Sequence, residues 1–227
     1  PFDATDLIVA SWHYVRGRRG REPEVFEAKP FDLVVIDEAH AARITRSQFA
    51  SPRPTRLYEL AMALSSLTPH IFLLTATPLQ LNELELLDLL RILGLGGPWV
   101  HEDAFSRFYQ VLSKEPVKRS DEDWLHLFTL ISWFANTYLK KEQIAVVVES
   151  FFSKLETLGK SLLNLLLLED KQGFLNFIRR LESEEFLVLD RVLRALSPVS
   201  WFMIRNTRER LEKAGYRFPE REVVNLD

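Results

Sequence analysis

Residues 31–40 read FDLVVIDEAH, an apolar run that ends in two carboxylates, a small residue and a histidine. Leu33, Val34, Val35 and Ile36 carry no polar interruption, the pattern of a strand buried on both faces, as in a parallel sheet. Asp37 and Glu38 then fall at the strand's C-terminal end, the edge where open α/β sheets bind ligands. Adjacent acids at that edge are suited to nucleotide hydrolysis. Asp37 can hold a magnesium ion, directly or through water, and Glu38 can orient and deprotonate the attacking water. Acid pairs after apolar strands also serve as solvated strand ends or helix N-caps. Ala39 and His40 favour the site, and so does a second motif downstream.

That motif is residues 71–93, IFLLTATPLQLNELELLDLLRIL. Ile71 to Leu74 is another short apolar run. Thr75, Ala76, Thr77 and Pro78 follow, and the proline stops the strand. Leu81, Leu84, Leu87 and Leu90 recur at helical spacing with acids between them, and Asn82 is a plausible N-cap. The order is strand, acids, helix, strand, Thr-Ala-Thr, helix. A βαβ unit of this kind winds right-handed and brings both strand ends to one edge of one sheet.

In this order, about 35 residues apart, the two segments resemble motifs II and III of helicase superfamily two. The TATPLQLNELELLDLLRILG stretch is similar to the Swi/Snf-type double-stranded DNA translocases. So are DLIVASWHYV (6–15), which resembles the strand and turn before motif II, and WFMIRNTRERLEKAGYRFPEREVVNLD (201–227), which resembles the segment leading out of the first motor lobe. The Arg-Asn-Thr-Arg form of the latter is similar to the bacterial RapA-like branch. The resemblance covers residues 6–110 and 199–227.

It implies ATP and Mg2+ as cofactors and duplex DNA as partner. Asp37 would organise the Mg2+, Glu38 would be the catalytic base, and His40 would couple the nucleotide site to the DNA side. Thr75, Ala76 and Thr77 would relay between ATP and DNA, and Gln80 matches the glutamine after the motif's proline. The family's next residue is usually asparagine, whereas here Leu81 intervenes before Asn82. Ser11, Trp12 and His13 sit where the family touches a DNA strand, with Trp and His in place of the usual Thr and Tyr.

Such motors also need a Gly-rich loop ending in Gly-Lys-Ser/Thr to cradle the phosphates. None precedes residue 31. Gly159-Lys160-Ser161 lies after the acid pair, in the wrong chain order, and Lys154 stands where the first glycine would fall. Its surroundings, LETLGKSLLNLLLL, read as a helix. The second motor lobe is missing too. The expectation is therefore a fragment, inactive alone, whose P-loop region and second lobe belong to the same longer protein.

Composition agrees with a packed domain. The chain has 227 residues, 47% of them hydrophobic, which excludes a disordered tail. It has no cysteine, hence no disulfide or thiolate metal site, and its five histidines show no paired ligand spacing. No signal-peptide pattern opens it, and no apolar run is long enough for a bilayer, so no membrane partner is expected and the cytoplasm is the default.

The net charge of −3 gives no bulk attraction to polyanions. Arginines nevertheless cluster at 16–21 and in an acid-free stretch, 41–58, which holds Arg43, Arg46, Arg53 and Arg56. These follow the proposed strands and are placed to contact phosphates; a merely solvated loop is the alternative. Pro52 and Pro54 mark 45–56 as loop.

The chain thus reads as α/β, an incomplete RecA-like parallel sheet with a large α-helical insertion. Strands are expected at 6–12, 32–37 and 71–75, and helices at 56–67 and 81–93. Phe105, Phe108, Tyr109 and Leu112 continue the helical spacing. The divisions are 1–113, the C-terminal part of the ATPase lobe; 114–198, the helical insertion; and 199–227, a return segment that starts the linker to the second lobe. Two rival functions stay open: an RNA or single-strand helicase of the same superfamily, and a non-catalytic partner-binding module. RNA polymerase and phage-defense subunits are candidate partners.

Overall fold

The computed structural model describes residues 6–15, 25, 27, 30–47, 50–76, 83–153, 155–204 and 215. Two short parallel strands organise the first part. β1 (Val34–Ile36) pairs with the later Ile71–Leu73 in the register Val34↔Ile71, Val35↔Phe72, Ile36↔Leu73. A short helix, α1 (Trp12–Val15), precedes them. Between them lie a 3-10 turn at Ala39–Ala41, a hairpin of β2 (Ile44–Ser47) and β3 (Ala50–Pro54), and helix α2 (Arg56–Leu67); the Ile71–Leu73 strand is thus β4.

Helix α2 starts where Thr55 accepts a hydrogen bond from the Tyr58 amide, an N-cap. Leu57, Leu60, Ala61 and Leu64 form its buried face. Leu57 and Ala61 join Ile36, Ala39 and Ala42 beneath the sheet. Only this face of the sheet is covered among the described residues. Val35 and Phe72 on the other face are 53% and 58% exposed, so burial on both faces, expected from the unbroken apolar run, is not seen here.

Two further expectations change. Residues 6–10 form no strand, and Trp12–Val15 is helical. Leu7 and Val9 are 81% and 94% exposed, so no sheet surface covers this apolar stretch among the described residues. Within 45–56, residues 45–47 and Ala50–Pro54 lie in paired antiparallel strands rather than in loop. Pro52 and Pro54 are tolerated because β3 is an edge strand, where a missing N–H breaks no central ladder.

The rest is helical: α3 (Glu83–Ile92), α4 (Glu102–Ser113), α5 (Asp121–Tyr138), α6 (Lys141–Phe151), α7 (Glu156–Leu168), α8 (Lys171–Ile178), α9 (Ser183–Ala195) and α10 (Pro198–Phe202). One apolar core runs through it from Leu87 to Leu196. Helix α5 is its axis. Ser120 and Asp123 cap it reciprocally, and Trp124, Leu127, Phe128, Ile131, Phe134 and Ala135 are buried along it. Trp99 meets Phe105, Phe108 and Phe134 edge-on and donates its indole N–H to the Leu130 carbonyl at 2.8 Å. Helix α3 belongs to both halves: Leu87 and Leu90 enter the helical core, while Leu89 and Ile92 enter the core under the sheet. Among the described residues, no helix is long and apolar enough to cross a membrane.

The Gly159-Lys160-Ser161 triplet lies inside α7, as the sequence reading expects. A Cβ at Gly159 would stand 2.9 Å from that of Phe152, so this glycine serves helix packing. Gly97 is tighter. Its φ is +60°, and a Cβ there would lie 2.0 Å from Trp133 Cζ2. Gly97→Ala is expected to destabilise the chain by about 1–3 kcal/mol, through overpacking and backbone strain together. A urea denaturation midpoint matching the parent chain would contradict this.

Candidate active site

The parallel pairing decides what meets at the sheet edge. Leu74 N donates to the Ile36 carbonyl at 2.8 Å, and Ala39 N donates to the Leu74 carbonyl at 2.9 Å. Asp37 and Glu38, which follow β1, therefore stand beside Thr75 and Ala76, which follow β4. Glu38 adopts a left-handed backbone, φ 49° and ψ 42°, uncommon for any residue but glycine. The Asp37 side chain helps hold that turn, its Oδ1 accepting from Glu38 N at 2.9 Å. Glu38 Oε2 lies 3.1 Å from His40 Nδ1, and the same nitrogen is 3.5 Å from Thr75 Oγ1. His40 thus bridges the acid pair and the Thr-Ala end.

A cleft of about 380 Å3 opens at this edge. Asp37, Glu38 and Thr75 form its polar side; leucines of β4 and α3 with Phe202, Met203 and Ile204 form its apolar side. Among the described residues, no three acids or histidines gather into a metal cage. Magnesium does not need one: it takes one or two protein carboxylates and completes its shell with water and phosphate oxygens. A single aspartate at the mouth of an open cleft fits that demand.

The other expected site residues are distributed as follows. Thr77 and Gln80 lie outside the described residues. The Ser11 carbonyl accepts from Tyr14 N and Val15 N, which opens α1, and Ser11 Oγ accepts from His13 N at 3.2 Å. Trp12 turns toward the acids, its indole N–H donating to the Asp37 carbonyl at 3.2 Å. Arg43 Nη1 pairs with Glu85 at 2.5 Å. Arg46 lies on β2, not on a solvated loop, and its guanidinium is taken up by carboxylates. Nη1 and Nη2 each reach Asp88 at 2.8 Å, and Nη2 also reaches Glu102 at 2.8 Å. Asp88 draws the Arg46 proton affinity upward, and the Arg46 contact holds the Glu102 carboxyl below its usual range.

Asp88, Arg91 and Glu102 are not among the site residues expected from the sequence. Asp88 is fully buried and accepts additionally from Arg91 Nη1 at 3.1 Å and Ile44 N at 2.8 Å. Its one trace in the sequence is an acid set between Leu87 and Leu89 on a helix.

The SNF2-related domain family matches residues 2–224. RNA polymerase-associated protein RapA of Vibrio vulnificus is 37% identical over 82 residues, 36% of this chain and 8% of that protein. RapA of Cronobacter sakazakii is 30% identical over 149 residues, 66% of this chain and 14% of that protein. The chain thus spans 8–14% of the length of these curated relatives. No solved structure matches. With the family match running nearly from end to end and both motif strands side by side, the chain belongs to the SNF2-related domain family.

Proposed function

We propose that the chain is part of an ATP-dependent motor that translocates on double-stranded DNA, and that its acid pair serves ATP hydrolysis. The observation that carries this is the meeting of Asp37, Glu38, His40 and Thr75 at one sheet edge beside an open cleft. Asp37 would hold Mg2+, which when bound neutralises phosphate charge. Glu38 would orient the attacking water and take its proton. His40, in reach of both Glu38 and Thr75, would carry the state of the nucleotide toward Thr75, Ala76, Thr77 and Gln80.

The exposed Arg53 on β3 supplies positive charge for a DNA backbone; Arg43, just before β2, is half-exposed and shares its charge with Glu85, and Ser11 and His13 are weaker contacts. Arg46 is left out of this face because its donors point at Asp88 and Glu102. Residues 114–198 are proposed as an insertion on the motor lobe and 199–227 as its return segment. The latter is supported by Phe202, Met203 and Ile204 lining the cleft. Hydrolysis is proposed to require a P-loop and second lobe outside the present sequence, so this chain alone is expected to be inactive. The names of the relatives make RNA polymerase a proposed partner of the intact protein.

The test is ATP turnover by the intact protein without nucleic acid, with duplex DNA and with single strands. Duplex DNA is expected to stimulate most. Stronger stimulation by single strands would favour the helicase alternative, and no turnover at all would favour a non-catalytic module.

A further inference from the structure

We propose that Arg46 and Asp88 are positioning residues for Glu38, acting through the turn that carries it. The proposal rests on the hydrolytic reading of Glu38 given above.

A residue held in a sparsely populated backbone region persists only when its surroundings over-determine it. Glu38 is such a residue, and the turn after it is anchored at both ends. At the near end, Ala39 N donates to the Leu74 carbonyl at 2.9 Å. At the far end, Ile44 N donates to Asp88 Oδ2 at 2.8 Å. Between them Thr55 Oγ1 donates to the Ala41 carbonyl at 3.2 Å. Both end anchors belong to one stretch of chain, β4 through α3.

The far anchor is the firmer. Asp88 has no exposed surface and receives both prongs of the Arg46 fork, Arg91 and the Ile44 amide. A bidentate guanidinium–carboxylate pair fixes orientation as well as distance. One turn earlier on α3, Glu85 takes Arg43. Ala39 and Ala42 of the turn share the apolar cluster that holds Leu89 and Ile92 of the same helix. The helix that follows the Thr-Ala-Thr segment therefore grips the turn that follows the acid pair, so a shift of α3 carries Glu38 with it. Neither Arg46 nor Asp88 is among the residues placed to touch nucleotide, so losing their pair should affect the water-activating step and spare nucleotide binding.

The experiment uses the intact protein with duplex DNA. Arg46→Lys keeps the charge and loses the fork. It is expected to lower kcat for ATP roughly tenfold to a hundredfold, the scale of a small misplacement of a catalytic group. KM for ATP and the Kd for duplex are expected to stay within about twofold. A second variant, Arg46→Met with Asp88→Asn, removes the charged pair but leaves an amide oxygen to accept from Ile44 N, so no backbone donor is stranded and the cost in stability is expected to be small. It is expected to melt near the wild-type temperature and yet keep the low kcat. A merely structural pair would show the opposite: kcat returning with the melting temperature. That result, or a folded Arg46→Lys protein with wild-type kcat, would overturn the proposal. Wild-type protein with no ATP turnover would instead remove the hydrolytic reading on which it stands.

Discussion

Glu38→Gln in the intact protein is expected to cut duplex-stimulated ATP turnover by about 10²–10⁴-fold, the usual contribution of a positioned general base. Glutamine keeps the size of the side chain and an acceptor oxygen but cannot take a proton from water near neutral pH. The backbone turn depends on contacts that the substitution leaves in place: Glu38 N to Asp37, Ala39 N to Leu74 and Ile44 N to Asp88. Nucleotide binding should therefore survive, and a fluorescent ATP analogue should bind the variant with nearly unchanged affinity. The carboxylate is 61% exposed and faces the cleft, so its loss leaves no buried partner stranded in the fold. Turnover within a few-fold of wild type would remove Glu38 from the reaction. Asp37 and His40 would then need another explanation for their place at the sheet edge.

The second large effect concerns stability. Arg119→Ala is expected to destabilise the chain by about 3–5 kcal/mol, the cost of breaking a buried pair by removing one partner. For a chain of this size that is a fall of roughly 10 °C in melting temperature. The Arg119 side chain has no exposed surface. Its Nε and Nη2 donate to the carbonyls of Val111, Leu112 and Lys114, closing the C-terminus of α4. The guanidinium sits 4.8 Å from the Trp124 ring centroid. Its Nη1 lies 2.7 Å from Asp190 Oδ1; neither atom makes a well-aligned hydrogen bond, so this contact is Coulombic. Removing the side chain takes a donor from three carbonyls, of which Val111 keeps the Lys114 amide and Leu112 keeps Arg194, and it leaves Asp190 with Arg194 alone. Differential scanning calorimetry on the chain measures the effect, and a shift below about 3 °C would mean that the pair contributes little.

The sheet edge is legible in sequence because its cues are local. Val34–Ile36 and Ile71–Leu73 are unbroken apolar runs, and each is followed within two residues by the residues proposed to carry chemistry. The helices are legible for the same reason: Phe105, Phe108 and Leu112 repeat at helical spacing and are all buried in α4. The hairpin is hidden by Pro52 and Pro54, which signal loop unless one knows that β3 lies at an edge. The Arg46–Asp88 pair is hidden by distance, since 42 residues separate the partners and neither has a local pattern that names the other. Trp12 holds something the sequence does not show. Its place before motif II suggests a DNA contact, and its indole N–H also binds the Asp37 carbonyl, a fact of tertiary packing that no local pattern announces.

Glu38 occupies a left-handed backbone conformation that disfavours L-residues by roughly 1–2 kcal/mol and that glycine adopts freely. Selection for heat resistance alone would therefore drift toward glycine at this position and discard the carboxylate. On the proposed role of Glu38, durability and competence pull in opposite directions at this one residue. The robust course is to hold position 38 constant and seek gains in the helical half.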